Sequence, residues 1–459
     1  MKKIRFCLVL LSVFAILGGT AFAWDGIDHV KMAPNGEGDL LFFPWYLVAS
    51  GGWQTQVSVV NTSNTYSTVA KVIIRSHNWS DELLDFLIYL SPNDVWTGFV
   101  RYGAQGTYIY SDDDSILVSK PAGTMKDTEV STYFASPANP VSVALFSAKC
   151  PAASKLDGLT DSNSMGYIEV IEVNATTALG TGKLGKEKVF NWYESTIGTT
   201  MQTVDILSGY HELQNTEAGS YSALSRAQVF AGWRNREFLD TQNNSGLATA
   251  TSDNTIGELE AAMGKTAVGL PYVWKGASAT LHFFTFPTKL SFAYKSTKTG
   301  EEPCDYYTGD PQSILTKTSS DYWGVYGGTR IPSKCLKFTA TGYDLKENTV
   351  GTGPFSGGGT TLKLCEEMQW IKAYIPGDLF TEGWIRYNWS VNSTSFRLKG
   401  NTLLGTFDGA PVLASAVYIR AASISEAEAS WTQRHVTAPI GTVMTTWPYY
   451  QYSDLRQLY

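Results

Sequence analysis

Val57-Ser58-Val59-Val60-Asn61-Thr62-Ser63-Asn64, and the segments Ala70-Lys71-Val72-Ile73-Ile74, Leu84-Asp85-Phe86-Leu87-Ile88-Tyr89-Leu90 and Ser91-Pro92-Asn93-Asp94-Val95-Trp96 that follow it, decide the fold class. Val57 and Val59 alternate with polar residues before the turn residues Asn61 to Asn64. Ala70, Val72 and Ile74 fall on one face of the next segment. Leu84, Phe86, Ile88 and Leu90 fall on one face of another. Ser91-Pro92-Asn93-Asp94 then turns the chain into Val95–Val100. A period of two residues marks a half-buried strand, and Asn, Asp, Ser, Pro and Gly mark the turns between. Strands of roughly five to eight residues recurring about every 15 residues predict an antiparallel sandwich rather than a parallel α/β sheet.

Working outward, strands are expected at Thr107–Tyr110, Val141–Phe146 and Tyr167–Val173. Further ones are expected at Leu281–Phe286, Thr361–Cys365, Gln369–Tyr374, Trp384–Trp389, Ser395–Leu398 and Pro411–Ile419. Helices are few. Thr255–Met263 is the best, with Asn254 or Thr255 as cap, Glu258 at the capping-box spacing and Gly264 as stop. A second short helix is expected over Tyr221–Phe230. Asp240–Asn254 and Gly351–Thr360 read as long polar loops. No internal repeat of fixed period is evident.

The chain has 459 residues, more than one ordinary domain holds. Residues 1–23 are expected to be a signal peptide. Lys2, Lys3 and Arg5 open it, an apolar run from Phe6 to Leu17 follows, and Ala21-Phe22-Ala23 supplies a cleavage pattern. The remainder divides into an N-terminal β-sandwich over 24–195 and a C-terminal β-sandwich over 196–459, the latter with a helical insertion and long loops. The fold class is therefore all-β: two consecutive antiparallel β-sandwich domains, immunoglobulin-like or jelly-roll-like. The longest later apolar cluster, Leu40–Ala49, is short of the roughly 18–20 residues a spanning helix needs and is interrupted by Pro44.

The formal charge is −7, and charged residues make up 17% of the chain against roughly 25% in a typical domain. No basic block is present, which makes nucleic acid and anionic lipid headgroups poor partners. Cys7 lies inside the signal. The other four cysteines, Cys150, Cys304, Cys335 and Cys365, are even in number in an oxidising compartment, which favours disulfides. Three pairings are open, with Cys304–Cys335 and Cys150–Cys365 as the working one. No Cys-x-x-Cys pair points to zinc.

Gly180-Thr181-Gly182-Lys183-Leu184-Gly185 fits G-x-G-x-x-G, but a dinucleotide loop needs a helix directly after it in a βαβ unit. Lys186–Tyr193 reads as a poor helix, so the motif reads as a turn. Asp112, Asp113 and Asp114 are candidate calcium ligands, since adjacent carboxylates offer hard oxygens; a solvated acidic turn is the preferred reading. Calcium aside, no cofactor is expected. His77 and His211 are the candidate general bases and read first as surface histidines. Glu258 and Glu260 fit a solvated helix face better than a glycosidase pair. No Gly-x-Ser-x-Gly elbow is present.

Fourteen Trp and 25 Tyr could build sugar-stacking platforms or fill two cores. Trp45, Trp53, Trp79, Trp96, Trp384 and Trp389 lie near strand ends, where both readings hold. The C-terminal aromatics Trp447, Tyr449, Tyr450, Tyr452 and Tyr459 invite comparison with outer-membrane barrels. The alternating positions Gln451, Ser453 and Gln457, with only Leu455 apolar, speak against it.

Several phrases together resemble a family of uncharacterised secreted proteobacterial surface proteins. They are Val59-Val60-Asn61-Thr62, Ala70-Lys71-Val72, Leu84-Asp85-Phe86 and, most specific, Tyr89-Leu90-Ser91-Pro92-Asn93-Asp94-Val95-Trp96-Thr97. Gly166-Tyr167-Ile168-Glu169-Val170-Ile171-Glu172, Phe286-Pro287-Thr288-Lys289 and Gly409-Ala410-Pro411-Val412 complete the set. Ile116 stands where the family often carries a cysteine, which leaves disulfide pairing open. The resemblance implies a β-sandwich and a surface location and assigns no catalytic role.

The expectation is a non-catalytic exported cell-surface structural or interaction protein: a surface-layer, filament or envelope-associated subunit. Its partners would be other copies of itself or other envelope proteins. A carbohydrate-binding protein using exposed aromatics, with glycans as partner, ranks second. An outer-membrane β-barrel ranks third and a hydrolase fourth.

Overall fold

In the computed structural model the deciding strands are all present. They are β3 (Trp53–Asn61), β4 (Tyr66–Ser76), β5 (Glu82–Leu90) and β6 (Val95–Gly103). The structure describes residues 30–49, 51–77, 82–104, 106–119, 132–145, 162–196, 202–217, 220–221, 224–233, 258–259, 262–273, 278–288, 336–346, 362–364, 367–373, 382–388, 395–397, 406–408 and 410–420. The signal segment 1–23, Trp79, Trp389, the loops Asp240–Asn254 and Gly351–Thr360, the C-terminal aromatics and all of Cys150, Cys304, Cys335 and Cys365 lie outside the described residues.

The fold is all-β, and its sheets are antiparallel. Sheet I has the order β1-β15-β2-β11-β4-β5, with β1 at Lys31–Met32, β2 at Leu40–Leu47, β11 at Met165–Thr177 and β15 at Gln228–Ala231. Sheet II has the order β10-β7-β6-β3-β12-β13, and β14 also pairs with β12. Here β7 is Gly106–Ser111, β10 Val141–Ala144, β12 Leu207–Asn215, β13 Ser220–Tyr221 and β14 Ser225–Arg226. A side hairpin joins β8 (Leu117–Ser119) to β9 (Thr132–Phe134). The two main sheets face each other across one core. Leu41, Phe43, Ala70, Val72, Ile74, Ile88, Ile168 and Val170 come from sheet I, and Val57, Val59, Trp96, Val100 and Ile109 from sheet II.

β12 and β15 lie beyond residue 195, yet they pair with β3 and β2, so the pairing of the first sandwich runs on to Ala231. The helix expected over Tyr221–Phe230 is instead the strand pieces β13, β14 and β15. Ladder partners on β12 and β2 override a weak local preference there. At the other expected helix, Glu258, Leu259, Ala262 and Met263 are helical. Leu259 and Met263, four apart on one face, bury against Leu40, Phe42, Ile73 and Ile171.

The second half builds two smaller sheets. Sheet III is β21-β18-β26, with β18 at Ser278–Thr285, β21 at Met368–Lys372 and β26 at Leu413–Arg420. Sheet IV is β17-β22-β19-β20, with β17 at Ala267–Val273, β19 at Leu336–Asp344, β20 at Leu362–Leu364 and β22 at Glu382–Asn388. The pairs β16 (Gly264–Lys265) with β25 (Ala410–Pro411), and β23 (Ser395–Arg397) with β24 (Thr406–Asp408), complete the set. Side chains of β18 alternate between two cores. Leu281 and Phe283 meet Trp45, Leu47 and Tyr167 of sheet I, and Trp45 stacks on Phe283 at 5.0 Å. His282 and Phe284 point the other way, onto Tyr387 of sheet IV. The sheets therefore stack in the order II, I, III, IV.

Strand β2 makes this stack possible. Its whole run, Leu-Leu-Phe-Phe-Pro-Trp-Tyr-Leu, is buried on both faces. The ladder with β11 slips between Ile168↔Phe43 and Gly166↔Tyr46, which inserts one extra residue at Pro44-Trp45. Proline lacks the N–H that a regular central strand would use, and a bulge is where a sheet interior tolerates it. The carbonyl of Pro44 accepts a hydrogen bond from Thr285 of β18. The bulge thus ties sheet I to sheet III.

Candidate functional site

The outward face of sheet II is built by strict alternation. In β3 the outward residues are Gln54, Gln56, Ser58 and Val60; β6 presents Thr97, Phe99 and Arg101, β7 Tyr108 and Tyr110, and β12 Tyr210, Glu212 and Gln214. Ladder register lines them into cross-strand rows. One reads Gln214–Gln54–Arg101–Tyr108, the next Glu212–Gln56–Phe99–Tyr110, and a third Arg226–Tyr210–Ser58–Thr97.

These rows are wired. Arg101 Nε donates to Gln54 Oε1 at 3.0 Å, and Gln54 Nε2 donates to Gln214 Oε1 at 2.9 Å. Gln214 Nε2 donates in turn to Gln56 Oε1 at 2.8 Å and to the Glu212 carboxylate. The chain runs from a guanidinium through two amides to a carboxylate, an arrangement in which each bond polarises the next. The Arg101 guanidinium also lies 4.2 Å from the Tyr110 ring centroid and 4.7 Å from that of Phe99, in cation–π contact with both. Among the described residues no carboxylate pairs with Arg101.

The Asp112-Asp113-Asp114 turn is half-exposed and takes in a cation from elsewhere in the chain. The ammonium of Lys186 enters it, 3.2 Å from Asp94 Oδ1 and 3.9 Å from Asp113 Oδ1, and hydrogen-bonds Asp114. Asp112 is half-exposed and makes no ion pair among the described residues. Asp113 also accepts from the backbone N–H groups of Thr97 and Ser115. Burial raises the Asp113 carboxyl, against the pull of these hydrogen bonds and of Lys186. Burial works against the charge of Lys186, but Asp114, Asp94 and Asp113 outweigh it and hold its pKa up. The candidate calcium ligands Asp113 and Asp114 thus hold a lysine ammonium. Among the described residues no three His, Cys, Asp or Glu side chains are grouped to hold a metal ion.

Lys186 comes from α1 (Gly182–Thr196), a helix where a poor helix was expected. Val189 and Tyr193, four apart, bury against Val69, Leu87, Tyr89 and Val173 on the outer face of sheet I. Packing of this stripe and the Lys186 anchor stabilise a segment of weak intrinsic preference. The G-x-G-x-x-G stretch is the turn that launches the helix. Gly180 and Gly182 take φ of 136° and 64°, and a Cβ on Gly185 would stand 2.6 Å from the Gly180 carbonyl. The strand after the helix, β12, joins the opposite sheet through antiparallel ladders, so no parallel βαβ unit forms. The glycines serve close packing.

His77 and His211 are not surface residues; both are essentially fully buried. His211 lies against Trp45, 4.2 Å between ring centroids, and Phe43, 5.5 Å. Burial lowers its pKa to about 3, and the nearby backbone of Ser225 offsets only part of this. It stays neutral and out of reach of substrate. His282, which the sequence did not single out, is also buried and lowered to about 4 by burial. Its Nε2 lies 2.8 Å from the Pro271 carbonyl, which can only accept, so Nε2 carries the proton and Nδ1 accepts from the Tyr387 hydroxyl at 2.8 Å. Glu172 is buried too. Burial raises its carboxyl well above the usual range, with Asp39 and Asp205 adding to the rise, while Thr68 and the Val204 N–H hydrogen-bond it.

Of the tryptophans at strand ends, Trp45, Trp53 and Trp96 are core residues. Trp384 is half-exposed on sheet IV and stacked on Tyr343, 4.3 Å apart at 11°. No family model matches the chain, and neither does any curated protein or solved structure.

Proposed function

We propose that this chain is a non-catalytic exported protein that works by contact, as a structural or interaction subunit of the cell surface. The observation that carries the reading is the outward face of sheet II. It is a broad, half-exposed array of wired amide, aromatic and charged side chains, while sheet I of the same sandwich is covered on both sides. A rigid sheet face with pre-positioned hydrogen-bonding groups suits recognition by contact. The burial of His77 and His211 removes both histidines that the sequence offers as general bases. Export rests on the pattern of residues 1–23.

A β-barrel fits less well. Among the described residues, sheet I ends at β1 and β5 and sheet II at β10 and β13, whereas a closed barrel has no edges. The partner in this reading is a further copy of the chain or another envelope protein. Light scattering at high protein concentration, followed by electron microscopy, tests it. Ordered oligomers that dissolve on Thr97→Arg, a bulky charge in the middle of the face, are the expected result. A strict monomer at every concentration overturns it.

A further inference from the structure

Where the row Gln214–Gln54–Arg101–Tyr108 ends, sheet II opens into a cleft of about 550 Å³. One wall is the turn Gly51-Gly52 that leads into β3, another the ends of β6 and β7 with Tyr102 and Tyr108, and the third Thr216 and Glu217 after β12. Arg101 and Gln54 form the floor. We infer that this cleft binds a short neutral saccharide, one or two sugar rings long, with Arg101 and Glu217 holding its hydroxyls and Tyr108 its apolar face. The inference rests on the reading of the chain as a contact protein and gives that contact a ligand class.

The chemistry of the walls selects the ligand. A sugar ring presents hydroxyls at its rim and C–H bonds on its faces, so its sites combine planar hydrogen-bonding groups with aromatic rings. Arg101 is fixed from three sides, by Gln54 and by the rings of Phe99 and Tyr110, through its Nε and its plane. Its two terminal nitrogens remain to donate in a fork to neighbouring oxygens. Glu217 is exposed, and its carboxylate has no partner among the described residues, only its backbone N–H being bonded, to Asn215. A donor fork and a free acceptor lining one cleft suit a ligand that both donates and accepts, as a vicinal diol does.

The walls are held before any ligand arrives. The Thr216 N–H and hydroxyl both bond the Gly52 carbonyl, at 3.0 and 3.3 Å, which knits the loop after β12 to the turn before β3. Gly51 and Gly52 take φ of 79° and 81°, and nothing lies within 4 Å of where a Gly51 Cβ would stand. The backbone there borders open space. A cleft of this size falls in the range of small-ligand sites, roughly 300–1,000 Å³. Preorganised walls reduce the ordering cost of a polar ligand.

Calorimetric titration of the full-length chain with maltose, cellobiose, lactose and N,N′-diacetylchitobiose, each to about 10 mM, and with trigalacturonate as the acidic comparison, tests this. At least one should bind with a dissociation constant of about 1 mM or tighter. Arg101→Ala and Tyr108→Ala should each weaken binding about ten-fold or more, since each removes a central contact. Glu217→Gln, an exposed change of equal size that leaves the fold intact, should weaken it several-fold. Arg226→Ala, at the far end of the same face, should leave it unchanged.

Failure of all four sugars to bind overturns the inference, as does an equal loss on Arg226→Ala. So does binding confined to trigalacturonate and abolished by about 0.5 M salt, which would assign the cleft to an acidic ligand. A sugar-binding monomer would overturn assembly and leave this site standing. Ordered assemblies blind to all the sugars would do the reverse.

Discussion

Sheets I and II close the same sandwich but live in different surroundings. In sheet II buried and half-exposed residues alternate along β3, β6, β7 and β12. In sheet I, β2 is buried at every position, and β4 and β11 along nearly all their length. The difference lies in what covers the outer face of sheet I: helix α1 over β4, β5 and β11, and sheet III over β2 and β11. Charges caught beneath this cover are paired. Arg75 bonds Glu169 at 2.9 Å, and Lys71 meets Asp85. An unpaired buried charge would cost several kcal/mol, so the charged Arg75, Lys71 and Glu169 are paired, while Glu172, buried without a cation among the described residues, has its carboxyl pushed toward the neutral form. One sheet has therefore become the interior of the molecule, and the other its working surface.

Substitution can break this contrast. Trp45→Ala empties the junction between sheets I and III and should cost about 3–5 kcal/mol in urea unfolding. A cost near that of a surface change would mean that sheet III does not stay on sheet I in solution. Lys186→Ala should come next, at about 2–3 kcal/mol, because it leaves Asp94 and Asp113 partly buried without their cation. Loss of helix signal without loss of the sandwich transition would confine the effect to α1.

Acid probes the covered region from another side. His211 and His282 are lowered to about 3 and about 4, so the unfolded chain binds protons that the folded chain refuses. Stability is then complete above pH 6.5 and falls as pH drops toward 4. Each histidine contributes a slope of about 1.4 kcal/mol per pH unit. Glu172 has the opposite sign. Its raised pKa keeps a proton on the folded state above pH 4.5, so from there upward, to its own folded pKa, it offsets one histidine. His211→Phe, which suits the aromatic site beside Trp45 and Phe43, should flatten the acid limb by about one such slope. An unchanged limb would show that His211 meets water.

Ser58→Ala, on the outward face of sheet II, is the smallest change. It removes the 3.3 Å contact with Thr97 and should shift stability by less than about 0.5 kcal/mol. A loss several times larger would mean that this face, too, is covered in solution.

Strands β3, β6 and β7 of sheet II were legible because one face meets water and the other the core, so burial writes a period of two into the chain; β12 carries the same alternation without being among the expected strands. The run Leu40–Ala49 was legible only as an apolar cluster, since burial on both faces erases the alternation. Helix α1 was hidden for a different reason. Its stripe is short, and its anchor partners Asp94 and Asp114 lie far back in the chain, 72 residues away for Asp114. His211 looked like a surface residue because only the arrival of Trp45 and Phe43 buries it. The rows that join Arg101 to Gln54 and Gln214 combine residues from β3, β6 and β12, which only strand register can bring side by side.

By itself, then, the sequence determined an all-β chain, about half of its strands, their turns and its low charge, because local periodicity and turn chemistry act between neighbouring residues. The tertiary structure alone decided which sheet became interior, which carboxylates received Lys186, and where Arg101, Glu217 and Tyr108 meet around one cleft. Those outcomes depend on contacts between residues far apart in sequence, and a linear pattern holds no record of them.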